Sequence, residues 1–168
     1  MSSPPLTPLA TATLAVGRPE SVLQVECGEG DGALFLAREF PLARVRGVDV
    51  SAEAVRRATA RIGLDPEGRI AFKLGSPRAL PFPDDHFDLV AVLDAGLAVS
   101  ETARVLRPGG FLVIAHSDRL HAPSKLGMRL GEWRFKRAGF VPVEADVAGD
   151  GSFSVARLRG SGKPRRSD

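Results

Sequence analysis

Polar and apolar positions along this chain switch repeatedly between a period of two and a helical period. Val22-Leu23-Gln24-Val25 is a short, mostly apolar run. A polar, glycine-rich stretch from Glu26 to Gly32 follows, and then Ala33, Leu36, Ala37 and Phe40 recur at helical spacing. This predicts a strand, a tight turn and a helix. The second unit has Arg44 to Val50 as a strand, Ser51 as a helix cap, and Val55, Ala58, Thr59 and Ile62 as an inner stripe ended by Gly63. Glu53 in the first turn and Arg56, Arg57 and Arg61 later suit the helix dipole. Arg69 to Leu74 predicts a third strand, and the Pro-rich Leu80 to Asp85 a loop. Phe87 to Leu93 is almost continuously apolar, as in a strand buried on both faces. A short helix over Val99 to Leu106 and a turn at Arg107-Pro108-Gly109-Gly110 lead to a fifth strand, Phe111 to Ala115. A helix over Lys125 to Ala138 carries Leu126, Leu130 and Trp133 on one side.

The end of the chain has a different pattern. Phe140 to Val147 sets Val141, Val143, Ala145 and Val147 on one face and Glu144 and Asp146 on the other. Pro142 within it cannot donate to a ladder and predicts an edge strand. Asp150-Gly151 signals a hairpin, with Phe153 to Leu158 returning. The whole is an α/β chain of repeated β-α units closed by an antiparallel hairpin. Residues 1–20 are expected to be a flexible leader with one short helix, 21–158 a single domain, and 159–168 a disordered basic tail.

The bulk properties narrow the class. The 168 residues suffice for one domain with its own core, and 43% hydrophobic with 26% charged residues is ordinary for a soluble globular protein. The net charge of +3 owes much to Arg157, Arg159, Lys163, Arg165 and Arg166. Such a tail reads as a solvated end rather than a nucleic-acid or lipid contact. Cys27 is the only cysteine, which excludes an internal disulfide and points to a reducing, cytoplasmic setting. No apolar run approaches the ~20 residues of a membrane span. The opening residues, Met1-Ser2-Ser3-Pro4-Pro5, lack the basic region of a signal peptide. Three scattered histidines and one cysteine show no metal-ligand spacing.

The turn after the first strand is where chemistry enters. Glycine tolerates positive φ and admits a ligand close to the backbone, and amides at a helix start attract carboxylate or phosphate. Gly28-x-Gly30-x-x-Ala33 also fits the dinucleotide fingerprint. A plain strand-to-helix turn remains the alternative without a ligand. Asp49 ends the second strand, where a carboxylate can accept both hydroxyls of a ribose. Open α/β sheets bind ligands at the carboxyl ends of their strands, which puts Asp94, His116, Asp118 and His121 at the crevice.

Four segments together resemble class I S-adenosylmethionine (SAM)-dependent methyltransferases of the small-molecule, ubiquinone/menaquinone type. They are Val22–Gly30, Gly47–Ser51, Leu80–Val90 and Ala103–Ile114, the last containing Arg-Val-Leu-Arg-Pro-Gly-Gly-Phe-Leu-Val-Ile. The resemblance runs from Val22 to Leu158. It implies a Rossmann-like seven-stranded sheet ordered 3-2-1-4-5-7-6, with strand seven antiparallel and helices on both faces. It implies SAM as cofactor, held by Glu26, Gly28 and Gly30 of the loop, by Asp49 and Val50 after strand two, by Ser76 after strand three and by Asp94 after strand four. His116 is the candidate general base for a small-molecule acceptor. His86, in the turn before strand four, reads as surface.

The chain departs from the family at the same places. Gln24 stands where an acid is usual and Glu26 where a glycine is usual. Gly75-Ser76-Pro77 replaces a Gly-Asp-Ala run, and Pro77 has no N–H for an adenine nitrogen. Phe87 to Arg107 leaves little sequence for a lid. The functional reading is methyl transfer from SAM to a small molecule. The alternative is a catalytically degenerate relative acting as a binding or partner subunit. A homodimer or partner completing the site fits either, and neither membrane nor nucleic-acid partners are implied. A nicotinamide dehydrogenase is disfavoured, since a chain without tyrosine lacks the Tyr-Lys pair of short-chain enzymes.

Overall fold

A computed structural model describes residues 5–118 and 125–160, with backbone alone over 125–131. Helix α1 (Thr7–Thr13) precedes two β-α steps and a third strand: β1 (Ser21–Val25), α2 (Asp31–Glu39), β2 (Arg44–Asp49), α3 (Ala52–Ala60) and β3 (Ile70–Leu74). Then come β4 (Phe87–Leu93), α4 (Val99–Val105), β5 (Leu106–His116), α5 (Lys125–Ala138), β6 (Phe140–Ala148) and β7 (Gly151–Leu158). The seven strands form one sheet in the order β3-β2-β1-β4-β5-β7-β6. β7 runs antiparallel to both its neighbours and the other pairs are parallel. The order reverses at β1 and β4, and their carboxyl ends form the crevice.

The core is divided between the two faces of the sheet. On one, Leu36 and Ala37 of α2 meet Val22, Val45 and Leu89, joined by Leu9, Ala12 and Val16. Residues 1–20 were expected to hang loosely around one short helix. The helix is present as α1, and its Leu9 and Ala12 are fully buried. Apolar spacing in so short a segment carries little signal, and only contact with β5 and β7 shows its place. On the other face Val105, Leu106 and Phe140 cover Leu23, Val25, Val90 and Val92. No helix lies in the 75–86 link. Leu80 and Phe82 cover that part of the sheet instead.

Several local expectations shift. Ser51 caps α3 as the pattern demands, its hydroxyl accepting the Ala54 N–H at 3.2 Å, but Thr59 of the expected inner stripe is exposed. The Arg107–Gly110 turn is a bulge inside β5. Phe87 pairs with Leu106 and Leu89 with Phe111, and Gly109 takes φ +85° between them. β6 is the edge strand that Pro142 requires, but its two faces do not segregate. Val143 is extruded between Pro142 and Glu144, and Val141, Val143 and Val147 are all exposed. Ala148 pairs with Gly151, so the hairpin loop is Gly149-Asp150, one residue earlier than expected. Trp133 is 61% exposed. Leu126 and Leu130 lie among residues whose side chains are not described. Residues 161–168 of the basic tail lie outside the described residues.

Candidate functional site

The turn after β1 is built by β2 as much as by its own glycines. The Cys27 N–H donates to the Val48 carbonyl at 2.9 Å, and the Gly28 N–H donates to Asp49 Oδ2 at 2.9 Å. The Gly30 N–H closes back on the Cys27 carbonyl, and Gly30 enters α2 at φ +90°. Asp49 Oδ1 accepts the Ser51 N–H at 2.9 Å. Both oxygens of this carboxylate are thereby fixed by backbone donors, and each keeps acceptor capacity for one more. Two exposed ion pairs, Arg57–Glu29 at 2.8 Å and Arg61–Asp31 at 2.7 Å, hold the turn against α3.

Beneath the turn the packing is steric. The Phe72 ring from β3 fills a notch between strand and loop. A Cβ at Gly47 would meet its Cδ1 at 2.5 Å, and one at Gly30 would meet its Cζ at 2.8 Å. Cys27 Sγ lines the same notch. Burial, and secondarily the Asp49 charge, push the Cys27 thiol up to about 12 from an ordinary 9.0. It stays protonated and fills space. The interior glycine in β2 was the available signal for Phe72, since glycine within a strand marks a close approach.

Three further acceptors lie at or near the carboxyl ends of β1 and β4. Glu26 follows β1 with φ +51°, a conformation that glycine adopts most readily. Gln24 is 2% exposed, and its Oε1 has no hydrogen-bond partner among the described residues. It lies against Gly32 in the first turn of α2. Asp94, exposed at the tip of β4 with φ +51°, ties that tip to β5 by accepting the Ser117 N–H at 2.7 Å. The cluster therefore offers acceptors and negative charge. A ligand with hydroxyls and a positive centre complements it, and an anion does not.

The other expected residues separate. Val50 is 61% exposed beside Asp49. Ser76 Oγ accepts the Arg78 N–H at 3.2 Å, within the tight turn that follows β3. His116 closes β5, paired with Ser152 on β7, and its Nδ1 is buried without a partner among the described residues. His86 is exposed at the opposite end of the sheet, as expected. His121 lies outside the described residues. No group of three or more metal-binding side chains occurs among the described residues. No helix among them is long and apolar enough to cross a membrane.

Sequence reasoning missed the hub that ties α4 to the Pro-rich loop leading into β4. Arg104 on α4 donates to Glu101 at 2.6 and 2.9 Å, to Asp84 at 2.8 Å, and to the Leu80 and Phe82 carbonyls. Glu101 Oε2 accepts the Leu80 N–H at 2.7 Å. The guanidinium beside it holds the Glu101 carboxyl below its usual value. The Pro-rich loop and the helix were both legible, but nothing in their spacing joins them.

Residues 22–110 match the methyltransferase domain family. The chain is 40% identical over 102 residues to a ubiquinone/menaquinone biosynthesis C-methyltransferase of Geobacter sulfurreducens, covering 55% of this chain and 40% of that protein. It is 31% identical over 142 residues to the 27-O-demethylrifamycin SV methyltransferase of Amycolatopsis mediterranei, covering 80% of this chain and 51% of that one. The chain thus spans about half or less of the length of these curated relatives. Among solved structures, a SAM-dependent methyltransferase from Aquifex aeolicus superposes with a TM-score of 0.72 at 20% identity, covering 91% of this chain and 90% of that one.

Proposed function

The chain belongs to the methyltransferase-domain family, whose cofactor is SAM, and we propose that it binds SAM across the tips of β1, β2 and β4 and methylates a small-molecule acceptor. The observation that carries this reading is the Asp49 carboxylate, held against the Gly28 amide with acceptor capacity left on both oxygens. When bound, the cofactor supplies an electrophilic methyl group on a sulfonium. The protein's share is positioning and exclusion of water.

In this reading Asp49 accepts the ribose hydroxyls, with Val50 beside it. Gly28 and Gly30 let the turn approach the methionine moiety. Glu26 pairs with its ammonium, which offsets the acid missing at Gln24. Ser76 contributes one polar contact near the adenine, and Pro77 contributes none. Asp94 stands at the positive centre. His116 takes the acceptor proton where the acceptor is a hydroxyl, its imidazole acting as general base from the end of β5.

The trough is open to solvent at Val50 and Asp94. That favours completion of its cover by a second copy or another subunit. The single cysteine, with no second one to form an internal disulfide, favours a cytoplasmic setting.

Calorimetric titration with S-adenosylhomocysteine tests the assignment. The expected result is saturable binding that falls about tenfold or more in Asp49→Ala, as loss of a charged hydrogen-bond acceptor predicts. No heat of binding at millimolar ligand with the native chain overturns it. Sedimentation velocity with and without the ligand tests the second copy.

A further inference from the structure

We infer that the hollow between α4 and α5 is a binding site for a small amphipathic anion, a carboxylate- or phosphate-headed molecule with an apolar body. The hollow has a volume of about 590 Å³ and is walled by Leu97, Ala98 and Val99. Arg78 from the β3–β4 link and Arg134 and Arg137 from α5 surround it, with Trp133 at its rim. Glu26, Asp49 and Asp94 do not line it, so the inference stands apart from the methyl-transfer reading.

Three observations converge on an anionic head. First, none of these guanidinium groups has an ion-pair partner among the described residues. Elsewhere in the chain Arg57, Arg61, Arg104 and Arg107 each meet a carboxylate at 2.6–2.9 Å. Second, Glu101 also lines the hollow, but its two oxygens are committed to Arg104 and to the Leu80 amide. Its charge is compensated, and the three arginines leave the hollow positive. Third, guanidinium forks match carboxylate and phosphate in a bidentate geometry.

The apolar half of the ligand follows from the walls. Leu97 to Val99 offer small aliphatic surface. Trp133 is 61% exposed and is braced by Arg137, whose guanidinium carbon lies 5.3 Å from the ring centroid. A large aromatic side chain held in solvent beside unpaired cations is suited to cover an apolar body while the head is gripped. The volume falls within the usual range for small-molecule sites, about 300–1,000 Å³.

The chain's one tryptophan and lack of tyrosine make the test direct, since intrinsic fluorescence reports Trp133 alone. Decanoate and 1-decanol are titrated as monomers into the full chain. The expected result is a saturable emission change with decanoate, and an affinity about tenfold weaker or worse with the uncharged alcohol, as loss of a charge-assisted contact predicts. Arg134→Gln and Arg78→Gln are each expected to weaken decanoate about tenfold. Arg78→Gln lies off α5, so it keeps the test valid should the helix variant fail to fold by circular dichroism. Arg44→Gln, at the far end of the sheet, is the control and is expected to change nothing. No saturable change overturns the proposal. So does an equal response to decanol, unchanged affinity in both variants, or a response confined to anionic phospholipid vesicles. Failure of S-adenosylhomocysteine to bind in the same preparation leaves this proposal standing and removes only the methyl-transfer reading.

Discussion

The Phe72 ring occupies the space that a side chain at Gly47 would need: a Cβ there would lie 2.5 Å from Phe72 Cδ1 and 2.9 Å from Cys27 Sγ. The contact crosses from β3 to the turn after β1, and β2 lies between them. It fixes the floor on which Asp49 and Gly28 meet.

Gly47→Ala is therefore expected to destabilise the chain by about 1–3 kcal/mol, as overpacking of a filled core does. Urea denaturation checks this. The paired variant Gly47→Ala with Phe72→Leu should recover part of the loss, because the shorter side chain vacates the notch.

Cys27 should make stability fall in alkali. Its folded-state value of about 12 lies above the ordinary 9.0, so the unfolded chain loses the proton first. The stabilising contribution is whole below pH 9 and is lost progressively as pH rises toward 12. Denaturant midpoints at pH 8 and pH 10.5 should differ more in the native chain than in Cys27→Ala. The native thiol should also resist alkylation at pH 8, in contrast to the urea-unfolded chain.

Arg104→Ala is expected to cost about 1–3 kcal/mol, since it strands Glu101 and frees the Leu80 and Phe82 carbonyls. Lysine at the same position should restore less than half, because one ammonium cannot reproduce the fork. The pH dependence has a definite sign. Glu101 is held below its ordinary 4.5, so its contribution is present above that value and is lost as pH falls through the depressed one. The acid limb of the stability profile should flatten in Glu101→Gln.

Glu26→Gly separates strain from function. Glu26 holds φ +51°, a conformation that costs a residue with a side chain about 1 kcal/mol. The variant should gain a stability of that order in thermal unfolding. If Glu26 pairs with the ammonium of the cofactor, affinity for S-adenosylhomocysteine must fall in the same variant. Tighter binding would refute the pairing while leaving the gain in stability intact.

Much of the architecture was legible before any coordinates. Short apolar runs alternating with helical spacing located β1, α2, β2, α3 and β4, because those patterns reflect how much of each element is buried. Pro142 announced the edge position of β6, because a residue without an N–H cannot serve a two-sided ladder. The strand-tip residues Gly28 and Asp49 were found through their spacing along the chain, and the fold brings them to 2.9 Å.

The strand order was implied only through the family resemblance; the sequence by itself determined the order of elements and the carboxylate and glycines at the strand tips. These depend on local periodicity and on short-range chemistry that one segment can encode. Only the tertiary structure decided that α1 enters the core, that Phe72 is what excludes a side chain at Gly47, that Arg104 binds the Pro-rich loop, and that three arginines from two distant segments share one hollow. Each is a contact between residues far apart in the chain. Its energy depends on distance and desolvation at the meeting point, quantities that no run of neighbouring residues contains.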